Sequence, residues 1–570
     1  MKNERTIIDF FCGAGGFSEG FRQMGFEIVK GYDNWKPAID TFNQNFGTNS
    51  SLKNILDFKD INEIKALPDT AVIIGSPPCV SFSSSNNSGK ADKSLGLELT
   101  KVFLRIIAVK KHKKGSILKA WFMENVKNSL NYLPKSYKFQ DLNLTDWAIE
   151  NGLSPDSVAI TIEGNSSIIN SAEYGSAQAR KRAITGEIVA KEKLVIPPIT
   201  HRLNGDNTYL PLAKTLGEVK NFLPAPNSSK SMRMIEDPLY HGLKVPLVLL
   251  TDHFYDSGLY KCQWRNSHFL KRNHPYMGSM SFPENENKPS RTITATNIGS
   301  SREASIYKSE YKRTGDGEYR VPTVREMASL MGFPITYQFL GGSITSKCRL
   351  VGNAVCPSVS RALAKIVRQE LNLEELAIPA VSTNLDVDGV KNLNTFSENT
   401  FNKPPIKKPG SRFRRHPFKY GNITVTLSNY DVTNSKQSNR WITSVQYGNG
   451  EGYPSVNYDD TIYKKIEPLL EKFKEGKEFV EIVNNGFSEK IAKATDLQRL
   501  YEEQKSKDKF LEPTELIEEV GNLIDEFKFD SPDYKQDDPI IFDKKKVVPK
   551  KQLMALYAIN KITSIINSEL

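Results

Sequence analysis

Residues 5–24, RTIIDFFCGAGGFSEGFRQM, constrain the fold of this chain more than any other stretch. Residues 5–11 are an apolar run that reads as a buried strand. A CGAGG turn follows, and residues 17–24 read as a helix. Strand, glycine-rich turn and helix in that order open a doubly wound α/β sheet, in which ligands gather at the carboxyl ends of the strands. Gly13, Gly15 and Gly16 permit a tight turn and a close approach of backbone to ligand.

The next segment extends the pattern. FEIVKGYD (26–33) reads as a second strand ending in Asp33, and PAIDTFNQNF (37–46) as a helix. An acid at the end of the second strand can accept hydrogen bonds from both ribose hydroxyls of an adenosine. Taken alone, Asp33 is equally a turn residue or a helix N-cap. The loop lacks the GKS or GKT of a triphosphate-binding turn. An adenosine without a triphosphate, such as S-adenosylmethionine, fits it better.

A chain of 570 residues is expected to hold two to four domains at roughly 100–200 residues each. No run approaches the length of a membrane span. Glu4 and Arg5 interrupt the start, which lacks the layout of a secretory signal, so a cytoplasmic protein is expected. The five cysteines (Cys12, Cys79, Cys262, Cys348 and Cys356) are scattered without a CxxC pair, which argues against a disulfide framework and a structural metal. The net charge of +11 suits a polyanionic partner, and suits solvated lysines equally.

AVIIGSPPCVSFS (71–83) is the most informative stretch for chemistry. Ala71 to Ile74 read as a short buried strand, Gly75 ends it, and Pro77 and Pro78 stiffen the loop that presents Cys79. A free cysteine is more often a small buried hydrophobe than a nucleophile, but a proline- and serine-rich loop is no core position. AWFMENV (120–126) reads as the next strand and ends in Glu124 and Asn125, a second polar pair at the sheet's carboxyl edge or simply a strand-ending cap. QARKR (178–182) sets Arg180 and Arg182 on alternate positions, facing one side if extended.

With these segments in hand, the chain resembles the cytosine-5 DNA methyltransferases. DFFCGAGGFSEGF, GSPPCVSFS, MENV, QARKR and RLVGNAV stand in that family's order, with KPSRTITAT (288–296) in its place before GNAV. The resemblance covers about residues 5–370. It implies a doubly wound Rossmann-like catalytic domain over 1–189 and 287–375, with a target recognition region over 190–286 that reads base edges of duplex DNA. A linker over 376–419 and a separate α+β domain over 420–570 are expected from composition and periodicity, and the latter resembles nothing familiar.

The resemblance also implies roles. Cys79 would add to C6 of a flipped-out cytosine, making C5 able to attack the methyl of S-adenosylmethionine. Glu124 would donate a proton to N3, for which burial should raise its pKa. Arg182 would bond O2, Arg180 would support the loop or a phosphate, and Asn125 would hold the active-site loop. Phe11 would pack on the adenine, Gly13, Gly15 and Gly16 would shape the methionine end, and Asp33 would bind the ribose. Asn54 stands where the family has an adenine-contacting Asp, with Asp57 close by. Leu97 and Leu99 would line the cofactor pocket and Asn353 would close it. Pro78, Ser83 and Gln178 would contact the substrate. Val80, Ser76 and Cys356 depart from residues frequent in the family.

Arg265, Lys271 and Arg272 in YKCQWRNSHFLKRNHPY (260–276) are candidates for phosphate or guanine contacts, or for a solvated face. Between Lys403 and Lys419 lie seven Lys/Arg and no acid, a second candidate for DNA contact or a basic linker. The reading expected from these signals is a monomeric modification enzyme that methylates duplex DNA, without metal, and accompanies a restriction endonuclease for the same site. The rivals are a tRNA-methylating relative, a catalytically silent DNA-binding regulator, and a fused restriction-modification enzyme, although no nuclease-like set of acids and lysine stands out in the C-terminal segment.

Overall fold

The computed structural model describes residues 5–569 apart from 79–92, 204–208, 229–232, 248–249, 251, 273–278, 297, 375, 377–395, 397, 403–404, 408–411, 435, 449–453, 487, 505–508, 537–540 and 543–544. The chain divides into two compact units: one formed by 1–257, 284–297 and 322–398, the other by 258–283, 298–321 and 399–570. The first is α/β and the second α+β.

In the first unit the apolar runs become the strands of one sheet. These are β1 (Thr6–Phe10), β2 (Glu27–Asp33), β3 (Ser51–Leu52), β4 (Val72–Gly75), β5 (Ala120–Val126), β6 (Ser166–Asn170) and β7 (Lys181–Ile188). Their order across the sheet is β3-β2-β1-β4-β5-β7-β6. The first five run parallel, and β7 is antiparallel to both β5 and β6. Helices α1 (Gly16–Gln23), α2 (Lys36–Phe46) and α3 (Ser94–His112) provide crossovers between the parallel strands. Burial on both faces explains the apolar runs of β4 and β5.

Two consequences of this order place a site. The chain turns back at β1, which pairs with β2 on one side and β4 on the other, so a crevice opens beyond the carboxyl ends of β1 and β4. The antiparallel β7 begins where β5 ends, with Arg182 opposite Val126 and Ile184 opposite Glu124. A reversed strand thus delivers its first arginine to the edge where the parallel strands finish.

The return segment closes the unit through α4 (Val324–Met331), α5 (Ile344–Asn353) and α6 (Pro357–Glu370). Helix α6 packs on α1, and Ser360 Oγ donates to the Gly16 carbonyl at 3.1 Å while Arg368 Nη1 donates to the Met24 carbonyl at 3.0 Å. Contact this close needs glycine. A Cβ on Gly16 would stand 2.1 Å from the Val355 carbonyl oxygen, and one on Gly20 would stand 2.0 Å from Ser360 Oγ and 2.3 Å from Arg361 N.

The second unit contains a four-stranded antiparallel sheet, β8 (Arg415–Tyr420), β9 (Ile423–Asp431), β10 (Lys436–Tyr447) and β11 (Ser455–Tyr458). It packs with α7 (Tyr463–Leu470), α8 (Lys474–Gly486), α9 (Ala494–Glu503), α10 (Pro513–Asp525) and α11 (Lys550–Ile566). Helix α11 is buried from Gln552 to Asn560 without a break and forms the centre of this unit. The expected strands and amphipathic helices of this region are therefore present, and β8 begins within the basic stretch that composition assigns to a linker.

The α1–α6 contact yields a stability prediction. Gly20→Ala forces two backbones apart and should cost about 1–3 kcal/mol, visible as a lower melting midpoint in calorimetry. Gly342→Ala, whose added Cβ meets nothing within 4 Å, should leave the midpoint nearly unchanged.

Candidate active site

A cleft with a cavity volume of about 190 Å³ lies at the carboxyl edge of the sheet. Its wall draws on the glycine turn, the ends of β2, β4 and β5, the start of β7, and the end of α5. Phe11, Gly13, Asp33, Asn54, Pro78, Leu99, Glu124, Arg180, Arg182 and Asn353, ten residues singled out from sequence, all line it.

The glycine turn is shaped by left-handed backbone. Phe11 has φ 55°, a state that costs a non-glycine residue on the order of 1–3 kcal/mol and clusters at ligand sites. Gly15 has φ 88° and caps α1. Asp33 holds this turn from the neighbouring strand, accepting from Gly13 N at 3.0 Å through Oδ2 and from Trp35 N at 2.9 Å through Oδ1. Burial raises its pKa, and the backbone N–H donors oppose that rise. Beneath the turn, Asp9 is fully buried and accepts from Ser18 Oγ at 2.7 Å, while its Oδ1 has no hydrogen-bond partner. Burial pushes its pKa up to about 8.

At the other end of the cleft, Glu124 is 7% exposed and forms an ion pair with Arg182 at 3.1 Å. Burial raises the Glu124 pKa, and the charges of Arg182 and Arg180 oppose the shift. Asn125 Nδ2 donates to the Pro77 carbonyl at 3.3 Å, so the end of β5 holds the start of the cysteine loop. Ser76 Oγ donates to the Phe11 carbonyl at 3.1 Å, which ties that loop to the glycine turn. Pro77 and Pro78 reach the cleft. Cys79, Val80 and Ser83 lie outside the described residues.

Other singled-out residues stand behind the cleft wall. Gly15 and Gly16 do not line it; they make room for Phe42, Phe46 and Tyr337 and for the Val355 carbonyl. Gln178 is fully buried, accepting from Ile293 N at 2.7 Å and donating to Met331 Sδ at 2.7 Å, so it braces the return segment instead of facing the cleft. Arg180 reaches the cleft, but its Nη1 and Nη2 donate to the carbonyls of Ile293 and Gly352 at 3.0 and 3.1 Å. Leu97 is half-buried on α3 and does not line the cleft, and Asp57 is exposed outside it. Asn54 lines the cleft while its Oδ1 accepts from Leu56 N, capping a short 3₁₀ turn. Cys356 is buried at the start of α6, its Sγ 3.9 Å from Met331 Sδ.

The structure adds residues that sequence reasoning passed over. Trp35 and Arg349 both line the cleft, with the guanidinium 4.6 Å from the ring centre. Each sits within four residues of a noted one, Asp33 and Asn353, which is the only signal the sequence offered. Among the described residues, no group of three His, Cys, Asp or Glu is arranged for a metal ion, and no helix is long and apolar enough to cross a membrane. Cys12, Cys262, Cys348 and Cys356 are buried.

Of the DNA-contact candidates, Lys271 is corrected. It is fully buried, and its Nζ donates to the carbonyls of Arg302 and Ala304 at 3.0 and 2.6 Å. Arg265 is paired with Glu515 at 2.5 Å and Glu518 at 3.2 Å, whereas Arg272 is exposed. Within 403–419, Arg412 pairs with Glu502 at 3.6 Å, Arg415 donates to Gln446 at 2.8 Å, and Phe418 is buried.

Residues 5–369 match the sequence model of the family described as C-5 cytosine-specific DNA methylase. Similar proteins include Type II methyltransferase M.HgiDI of Herpetosiphon aurantiacus, 28% identical over 371 residues, covering 64% of this chain and 94% of that protein. Type II methyltransferase M.MthTI of Methanothermobacter thermautotrophicus is 27% identical over 372 residues, covering 64% and 97%. Among solved structures, Entamoeba histolytica methyltransferase EhMeth is similar at 15% identity and a TM-score of 0.39, covering 65% of this chain and 99% of that one.

The Asp9 carboxyl gives a prediction with a definite sign. Its folded pKa lies above its ordinary value of 3.8, so the folded state keeps a proton that the unfolded chain releases. Stability should therefore fall as pH rises from about 4 to about 8, by at most roughly 1.4 kcal/mol per pH unit from this group. Asp9→Asn cannot titrate, so its stability relative to the unsubstituted protein should climb across that window in denaturation series at pH 5, 6.5 and 8. A flat difference would show that Asp9 is ionised in the folded protein.

Proposed function

The chain belongs to the C-5 cytosine-specific DNA methylase family, and from that premise we propose that it transfers a methyl group from S-adenosylmethionine to C5 of a cytosine in a specific duplex sequence, as the modification enzyme of a restriction-modification system. The observation that carries the reading is the cleft. It joins a glycine turn gripped by Asp33 to a buried Glu124–Arg182 pair, with the loop leading to Cys79 between them.

The cofactor end fits an adenosine bearing an amino-acid tail. Phe11 and Trp35 offer aromatic faces, Asn54 a polar group that can both donate and accept, and Asp33 a carboxylate already oriented by two backbone donors. Backbone near Gly13 and Asn353 would hold the methionine portion. When bound, this cofactor supplies an electrophilic methyl group.

The chain's own residues do the rest. Cytosine C5 is a weak nucleophile, so the Cys79 thiolate adds to C6 and converts C4–C5 into an enamine-like carbon that can attack the methyl. Addition places negative charge on the ring toward N3. Glu124, held toward its neutral form by burial, donates its proton there. Arg182 sets the orientation of Glu124 and bonds O2 of the base. Arg180 and Asn125 position the loops, since their hydrogen bonds go to the carbonyls of Ile293, Gly352 and Pro77. The target atom is covered in a stacked duplex, so the base must swing out into the cleft. A base, a role that a bound water can fill, then takes the C5 proton, and the thiolate leaves as the C5–C6 double bond re-forms. The similarity to Type II methyltransferases supports a partner endonuclease that cuts the same site.

Duplex DNA carrying 5-fluorocytosine cannot lose a C5 proton, so with cofactor it should trap a covalent protein–DNA adduct that survives denaturing electrophoresis. Cys79→Ala should abolish both adduct and methyl transfer while cofactor affinity, measured by calorimetry, stays within about twofold. Glu124→Gln should lower the transfer rate by about 10²-fold or more. An adduct with tRNA and none with duplex DNA would move the substrate to RNA, and methyl transfer by Cys79→Ala would remove the nucleophile assignment.

A further inference from the structure

Among the described residues, the cations of the cleft wall are three arginines, and two of them are committed to protein. Arg182 is paired with Glu124 at 3.1 Å, and both terminal nitrogens of Arg180 donate to backbone carbonyls at 3.0 and 3.1 Å. Arg349 differs. It is exposed, and among the described residues its guanidinium makes no hydrogen bond and no ion pair. The contact it does make is with Trp35, whose ring centre lies 4.6 Å away.

Charge places this guanidinium at the cofactor end of the cleft. Burial raises the Asp33 pKa, and the charge of Arg349 opposes that rise. On Glu124, at the other end, the charges opposing burial are those of Arg182 and Arg180. Helix α5 agrees with this placement. Arg349 and Asn353 stand four residues apart on it, hence on one face, and both line the cleft. Trp35 comes from the opposite end of the sequence, at the start of α2, with its backbone N–H on Asp33. A guanidinium over a ring spends its face on the ring. It keeps the N–H donors in its plane, a fork that matches a carboxylate.

S-adenosylmethionine has one anionic group, the carboxylate of its amino-acid tail. Asp33 and Glu124 repel it, and Arg180 and Arg182 are taken. We propose that Arg349 is the receptor for this carboxylate, with Trp35 as the platform that holds its guanidinium across the cleft. The inference rests on S-adenosylmethionine as cofactor and names the residue that selects its tail. An adenosine compound without the tail gains nothing from Arg349, so the residue sets specificity as well as affinity.

Calorimetric titration of the purified full chain tests this with three ligands. These are S-adenosylmethionine, S-adenosylhomocysteine and 5′-methylthioadenosine, which keeps the adenosine and the sulfur but lacks the amino-acid tail. Arg349→Ala should weaken the first two alike, by about tenfold or more, and leave the third within about twofold. Arg349→Lys, which keeps the charge and loses the fork, should fall between. The side chain is exposed, so both variants should keep the melting midpoint of the unsubstituted protein. Equal loss for all three ligands would make Arg349 a support of the cleft as a whole, and unchanged affinity for all three would leave the tail to backbone donors. Either result overturns the assignment. So does an Arg349→Ala variant that binds the cofactor normally while its slope of log duplex affinity against log salt falls by about 1, because the guanidinium then serves a phosphate. If the unsubstituted protein takes up none of the three ligands, the cofactor reading fails and this inference falls with it, an outcome distinct from binding that ignores Arg349.

Discussion

The catalytic unit depends on the close packing of α1 against α6. The two helices are far apart in sequence, yet Gly16 and Gly20 let backbone meet backbone at distances that admit no side chain. That contact seats residues 349–355 on the open side of the glycine turn. Arg349, Asn353 and Val355 reach the cleft only because α6, the next helix in the chain, is fixed on α1. The bracing by Arg180 and Gln178 works toward the same end, binding the start of β7 and the segment before it to Ile293 and Gly352. A cleft assembled from both ends of a unit needs both ends held.

Charge in the cleft is governed by burial. The pKa values of Asp9, Asp33 and Glu124 are all raised, in each case mainly by desolvation. Their partners differ, and so do the states they favour. Asp9 has a hydroxyl donor on one oxygen and nothing on the other, which suits a neutral acid. Asp33 has backbone donors on both oxygens, which offset part of the cost of ionisation. Glu124 has an arginine beside it, whose charge opposes the rise. One sheet edge can thus present an oriented acceptor at one end and a proton donor at the other, using the same kind of side chain.

How much of this was legible in the sequence depended on whether a residue's role is fixed by its own strand. Asp33 and Glu124 end apolar runs, so a parallel sheet sends them to the same edge, and their place could be read directly. Arg182 could be read as extended beside Arg180, but only the antiparallel course of β7 brings it to Glu124. Gly15, Gly16 and Gln178 belong to the right segments, yet they face protein instead of the cleft, because their neighbours are Phe42, Phe46 and residues from 290–360, and local pattern carries no trace of those contacts. Trp35 and Arg349 were missed for the same reason: a cation held over a ring across the cleft has no periodicity. Lys271 misled because charge in a sequence suggests solvent, while two backbone carbonyls can satisfy a buried ammonium.

The second unit shows where linear reading stops. Composition places a boundary near residue 376 and makes the C-terminal third of the chain an appendage, because the asparagine- and proline-rich stretch looks like a break. The core ignores that break. Phe269 is buried among residues from the end of the chain, and the clamp on Arg265 comes from 250 residues away. A helix of 12 residues with four cations among Lys261, Arg265, Lys271 and Arg272 is marginal by itself in water. It is stable here because Lys271 is satisfied by the 298–321 segment, Arg265 by α10, and Phe269 by the C-terminal core. Each of those partners lies outside the helix's own stretch of sequence, so the segment that carries the charge and the segments that hold it in place have to be read as one element.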